Sequence, residues 1–85
     1  MDAKRTGAPA RVVDGIEWTC WYTGIMQYEW RAVDFPDHNP VVVNNGVFKN
    51  TYSANVDGAA IGKRFGTITN AIRAANKLLK ERQHG

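Results

Sequence analysis

Eighty-five residues with a formal net charge of +3 make one small domain. Such a chain buries only about two-thirds of its unfolded surface, so three Trp, three Tyr and three Phe must supply most of the core. The lone cysteine, Cys20, excludes an intramolecular disulfide, and no apolar run is long enough to span a bilayer. The opening MDAKRTGAPARVV lacks the apolar run of a signal peptide, so the expectation is a soluble cytoplasmic protein.

The charge is unevenly spread. Residues 1–11 carry Lys4, Arg5 and Arg11 against Asp2, a net of +2. Residues 12–46 set Arg31 against Asp14, Glu17, Glu29, Asp34 and Asp37, a net of −4. Residues 47–85 set seven basic residues against Asp57 and Glu81, a net of +5. An acidic front and a basic back fit an anionic partner for the back, a homodimer of opposed charges, or a solvated surface with no partner.

Residues 1–11 mix charge with Gly7, Ala8 and Pro9 and show no periodicity, so they read as a flexible basic arm before a single domain over residues 12–85. Residues 12–34 read as a hairpin. Ile16, Trp18, Cys20 and Tyr22 alternate with Glu17, Thr19 and Trp21; after Thr23-Gly24, Met26, Tyr28, Trp30 and Ala32 alternate with Gln27, Glu29 and Arg31. Trp21 breaks the first pattern, and either packs beneath another element or stands exposed as a contact residue. The segment FPDHNP is a linker bounded by two prolines. Val41 to Asn44 then pairs with a strand from Val47, with Asn45-Gly46 as a primed turn between them.

Phe48, Tyr52, Ala54 and Val56 alternate with Lys49, Thr51, Ser53 and Asn55, which gives one dry face and one wet face. Asp57-Gly58 predicts a hairpin to the strand AAIGKRF. A two-residue turn pairs Ala54 with Ile61; a four-residue loop would set Ile61 and Phe65 near Val56 and Tyr52. Thr67 caps a helix over about residues 67–82, whose apolar stripe is Ile68, Ala71, Ile72, Ala75 and Leu79. The expected fold is therefore α+β: an antiparallel meander sheet of about five strands packed on one C-terminal helix.

Little in the sequence suggests catalysis. Gly58-Ala-Ala-Ile-Gly62-Lys63-Arg64 has one residue too few for a phosphate loop, lacks its Ser or Thr, and leads into a strand instead of a helix. Gly62 reads instead as a bulge or a point of close approach. Ser53 is the single serine, His38 and His84 the two histidines, and nothing in the pattern joins them into a nucleophile–base pair. Asp37 and His38 fit a solvated turn better than a metal site. No catalytic residue, metal or cofactor is expected, and the protein reads as a binding protein and not an enzyme.

The run from Gly46 to Lys77 resembles the three-strand-plus-helix DNA-binding domains of the AP2 type and the arm-binding N-terminal domains of tyrosine integrases. The matching pieces are Tyr52-Ser53-Ala54, Asp57-Gly58, Ile61-Gly62, Phe65, Thr67 and Ala71 to Ala75. The resemblance implies a sheet that enters the major groove of duplex DNA with the helix behind it. Lys49, Thr51, Ser53, Asn55, Lys63 and Arg64 are the expected nucleic-acid contacts, since long cations beside small hydrogen-bonding residues suit phosphates and base edges. The acidic aromatic hairpin has no counterpart in those families. It supports a second expectation: a phage or mobile-element protein that blocks a host protein through Trp18, Trp21, Tyr22, Met26 and Trp30.

Overall fold

The computed structural model describes residues 4–24, 27–44 and 51–84. Seven strands form one antiparallel sheet: β1 (Lys4–Arg5), β2 (Arg11–Val13), β3 (Ile16–Gly24), β4 (Gln27–Ala32), β5 (Val41–Asn44), β6 (Tyr52–Val56) and β7 (Ala59–Phe65). A single α-helix, α1 (Ile68–His84), follows. The sheet order is β1-β3-β4-β5-β6-β7, with β2 beside β1 along the same edge of β3. From β3 onward this is the expected meander, closed by the expected helix.

Cross-strand register sorts the side chains into two faces. Cys20, Trp30, Val42, Ala54 and Ile61 stand opposite one another in a row across β3 to β7. That row, with Trp18 and Val56, packs against Ala71, Ile72, Ala75 and Leu79 of α1, all four fully buried. Tyr52, Ile61 and Phe65 pack at the edge of this cluster. The helix begins where Thr67 Oγ1 accepts a hydrogen bond from the Asn70 N–H at 3.1 Å. It packs against β5, β6 and β7 and also reaches β2, so the sheet curls to bring both edges to one helix.

Asp57 (φ 57°) and Gly58 (φ 79°) both adopt left-handed backbone, as a primed two-residue turn requires, and Val56 pairs with Ala59. The register is thus that of the tight turn, with Ala54 opposite Ile61. It then shifts, because β7 takes four residues from Ile61 to Phe65 where β6 takes two from Ala54 to Tyr52. Gly62, at φ 62°, absorbs the excess as a bulge.

Three expectations are corrected. Residues 1–11 are not wholly an arm: Lys4–Arg5 pairs with Tyr22 and Trp21, and Arg11–Val13 with Trp18, Glu17 and Ile16. The cause is a second primed turn at Asp14 (φ 51°) and Gly15 (φ 83°), which folds β2 back on β3. Second, Asn44 pairs with Tyr52, so a tight Asn45-Gly46 turn setting Asn44 opposite Val47 does not close the β5–β6 hairpin. The expected strand over residues 47–50 lies outside the described residues. Third, the linker holds a 3₁₀ turn, Pro36–His38, between left-handed Phe35 and Asn39. It is one hydrogen-bonded turn, and Phe35 packs against the core from it.

Candidate nucleic-acid interface

Because α1 covers one face of the sheet, side chains of the opposite parity meet no other layer among the described residues. Two rows cross this uncovered face: Arg5, Trp21, Glu29, Val43 and Ser53, then Thr19, Arg31, Val41, Asn55 and Ala60. Ser53 and Asn55 are half-buried there, and Thr51 is half-buried just before β6. Arg64 is exposed beside Phe65, whose ring packs into the core. The structure therefore brings Ser53, Asn55 and Arg64 to the side away from the helix. Lys63 lies in β7, and Lys49 lies outside the described residues.

The half of this face formed by β3 and β4 is built around Trp21. Its indole N–H donates to Thr19 Oγ1 at 3.0 Å, and the Arg31 guanidinium carbon lies 4.7 Å from the ring centroid. Arg31 also ion-pairs with Glu29, whose side chain is only 15% exposed. Trp21 is thus partly covered by neighbours in its own sheet, not by another layer. Arg5, Thr19, Trp21 and Arg31 border a shallow hollow of about 380 Å³. Since Arg31 answers Glu29, the exposed charges on this face among the described side chains are Arg5 and Arg64 against Glu17.

The aromatic contact set divides. Trp18 is 0% exposed and Trp30 9%, so both are core residues and cannot meet a partner in this fold. The strand period explains it: both share the covered face with Cys20 and Val42. Tyr22 is half-buried, its ring 5.3 Å from that of Tyr28, which is 45% exposed. Met26 lies outside the described residues.

One polar cluster lay beyond the sequence reading. Trp18 Nε1–H donates to Asn76 Oδ1 at 3.0 Å, and Asn76 Nδ2–H donates to the Val13 carbonyl at 2.8 Å. Asn76 is 1% exposed, so this is a buried link between β3, α1 and β2. Its signal was available, because Asn76 falls between Ala75 and Leu79 within the apolar stripe. A second cluster joins the linker, a turn and the helix end. His38 Nδ1 lies 2.8 Å from Asp57 Oδ1, and an Arg82 Nη lies 2.8 Å from Asp57 Oδ2. Among the described residues, no three His, Cys, Asp or Glu side chains gather where they could hold a metal ion. No helix among them is long and apolar enough to cross a membrane.

The class these observations define is an α+β protein with one helix on one face of a curled antiparallel sheet. Comparison with protein-family models, curated proteins and solved structures gives no match.

Proposed function

We propose that this is a non-enzymatic protein that binds duplex DNA through the uncovered face of β6 and β7. The observation that carries the reading is the sidedness of the sheet: α1 takes one face, and Ser53, Asn55 and exposed Arg64 emerge on the other. Arg64 and Lys49 are the principal contacts, with Thr51, Ser53 and Asn55 reaching base edges or phosphates and Lys63 and the N-terminal cations assisting. The +5 balance of residues 47–85 supplies the attraction.

Titration of a labelled duplex into the protein at low salt tests this. Three to five phosphate contacts give a slope of log affinity against log salt of roughly −3 to −4.5. Arg64→Ala costs about 1–3 kcal/mol at one base position if it reads guanine; if it touches only phosphate, it weakens all sequences alike and flattens the slope by about one. Failure to bind at micromolar protein, or binding indifferent to Arg64→Ala and Lys49→Ala, refutes the reading.

A second reading has one observation in its favour, the half-exposed Tyr22–Tyr28 pair on the β3–β4 hairpin. In it the protein blocks a host protein through the β3–β4 hairpin, with Trp21 on the uncovered face and Tyr22 and Tyr28 on the other, as an element carried by a phage would. Stoichiometric recovery of one protein from nuclease-treated lysate, lost on Trp21→Ala, favours that reading over DNA.

A further inference from the structure

The helix side of the molecule carries a separate basic hollow. It lies where α1 meets the sheet edge at β2, has a volume of about 390 Å³, and is lined by Arg11, Val13, Asp14, Thr69 and Arg73. The buried Asn76–Val13 hydrogen bond holds β2 and α1 together beside it.

Arg11 is the informative residue. Its guanidinium carbon lies 5.1 Å from the centroid of the Trp30 ring, and Trp30 is itself fixed in the core. A guanidinium held over a ring keeps five N–H donors in its own plane. Among the described residues, nothing accepts a hydrogen bond from those donors. The Arg11 cation is thus held over a core aromatic with no acceptor engaged among the described residues, which lowers the entropy lost on binding an anion. Arg73 approaches from α1. Its Nε is 3.8 Å from Asp14 Oδ2, within ion-pair range but too long for a hydrogen bond. The Thr69 hydroxyl, one helical turn before Arg73, completes a donor set drawn from two elements.

We propose that this hollow binds a phosphomonoester, with Arg11 and Arg73 as its two cations and Thr69 as a neutral donor. Two guanidinium forks match the charge and oxygen geometry of a dianionic phosphate better than those of a carboxylate or halide. The volume leaves room for a small organic group on the phosphate. The site shares only Arg11, one of the assisting N-terminal cations, with the DNA reading and neither of its principal contacts, Arg64 and Lys49, so either can fail alone.

The test is an NMR titration of the full chain with glycerol 3-phosphate at constant ionic strength, and with dimethyl phosphate and chloride as comparisons. The expected result is a saturable shift confined to Arg11, Thr69, Arg73 and their neighbours. Affinity falls about tenfold or more in Arg11→Gln and severalfold in Arg11→Lys, which keeps the charge but loses the stacked fork. Asp14→Asn keeps a residue that tolerates the left-handed turn and removes the competing carboxylate, so affinity rises, a gain that misfolding cannot imitate. Arg64→Ala leaves phosphate binding unchanged. Shifts that chloride or dimethyl phosphate reproduces, or an affinity indifferent to Arg11→Lys and Asp14→Asn, overturn the proposal.

Discussion

Replacing Asn76 by leucine isolates a buried polar link between sheet and helix. The side-chain heavy-atom count and branching are conserved, so the principal change is one of hydrogen bonding. Trp18 Nε1–H loses its acceptor in a site with no solvent access, which costs about 1–3 kcal/mol. The Val13 carbonyl, only partly buried, loses a donor and adds up to about 1 kcal/mol. Burial of leucine in place of the amide returns on the order of 1 kcal/mol. The expected net loss is therefore about 1.5 kcal/mol and at most about 3 kcal/mol, out of a total that for 85 residues is about 4–13 kcal/mol.

Urea unfolding followed by tryptophan fluorescence measures it, with the slope against denaturant as a check that the folded state is otherwise intact. The mechanism, as distinct from the size, needs a double-mutant cycle. Trp18→Phe removes the donor, so Asn76→Leu in that background strands no indole N–H, only the Val13 carbonyl, and costs at least about 1 kcal/mol less than in the wild type. A cost below about 0.5 kcal/mol, or strict additivity of the two changes, refutes the argument that the indole–amide bond ties α1 to β3.

Leu79→Ala, at a fully buried stripe position, costs about 2–5 kcal/mol in the same assay; a loss under about 1 kcal/mol means α1 does not pack as described. Gly58→Ala forces a side chain into φ 79° and costs about 1 kcal/mol or more, whereas Gly7→Ala, whose added methyl meets nothing within 4 Å, stays within about 0.5 kcal/mol. Asp57→Asn keeps the left-handed turn residue but removes the charge that His38 and Arg82 share. These side chains are about a third to a half exposed, so the loss is under about 1 kcal/mol and shrinks in high salt; a larger, salt-independent loss points to a structural role beyond the ion pairs.

The helix and the β6–β7 hairpin were legible because their signals are local. A stripe at positions 68, 71, 72, 75 and 79 has one reading, and Asp57-Gly58 between alternating runs has one turn chemistry. The same dipeptide at Asp14-Gly15 carries the same signal. Residues 1–11 show no periodicity of their own, so edge strands that this turn folds back on β3 read as an arm. The β5–β6 register was not legible from Asn45-Gly46, which lies outside the described residues: it follows the apolar match of Val42 with Ala54, which sets Val42 between Trp30 and Ala54 in the buried row. A register that buries a row outweighs a dipeptide's local preference. The site residues were legible as a face, since parity alone puts Ser53 and Asn55 opposite Ala54 and Val56. What parity could not give was the division of the tryptophans. Trp18 and Trp21 are three apart on one strand, and only the helix position decides which of the two faces is interior.

That position is itself constrained. Six strands abreast span about 24 Å at the usual spacing, whereas a helix covers a strip about 10 Å wide. Seventeen helical residues, about 25 Å long, cannot cover such a sheet if it stays flat. The structure meets this by curling, so that α1 touches β7 on one side and β2 on the other. Asn76 to Val13, Lys80 to the Asp14 carbonyl at 3.0 Å, and Arg82 to Asp57 hold those edges to the helix. With its single α-helix so engaged among the described residues, nothing in those elements remains to cover the convex face. Trp21 is shielded there by Arg31 and Thr19 instead. Among the described residues, the uncovered face is thus a geometric consequence of one α-helix serving a seven-stranded sheet.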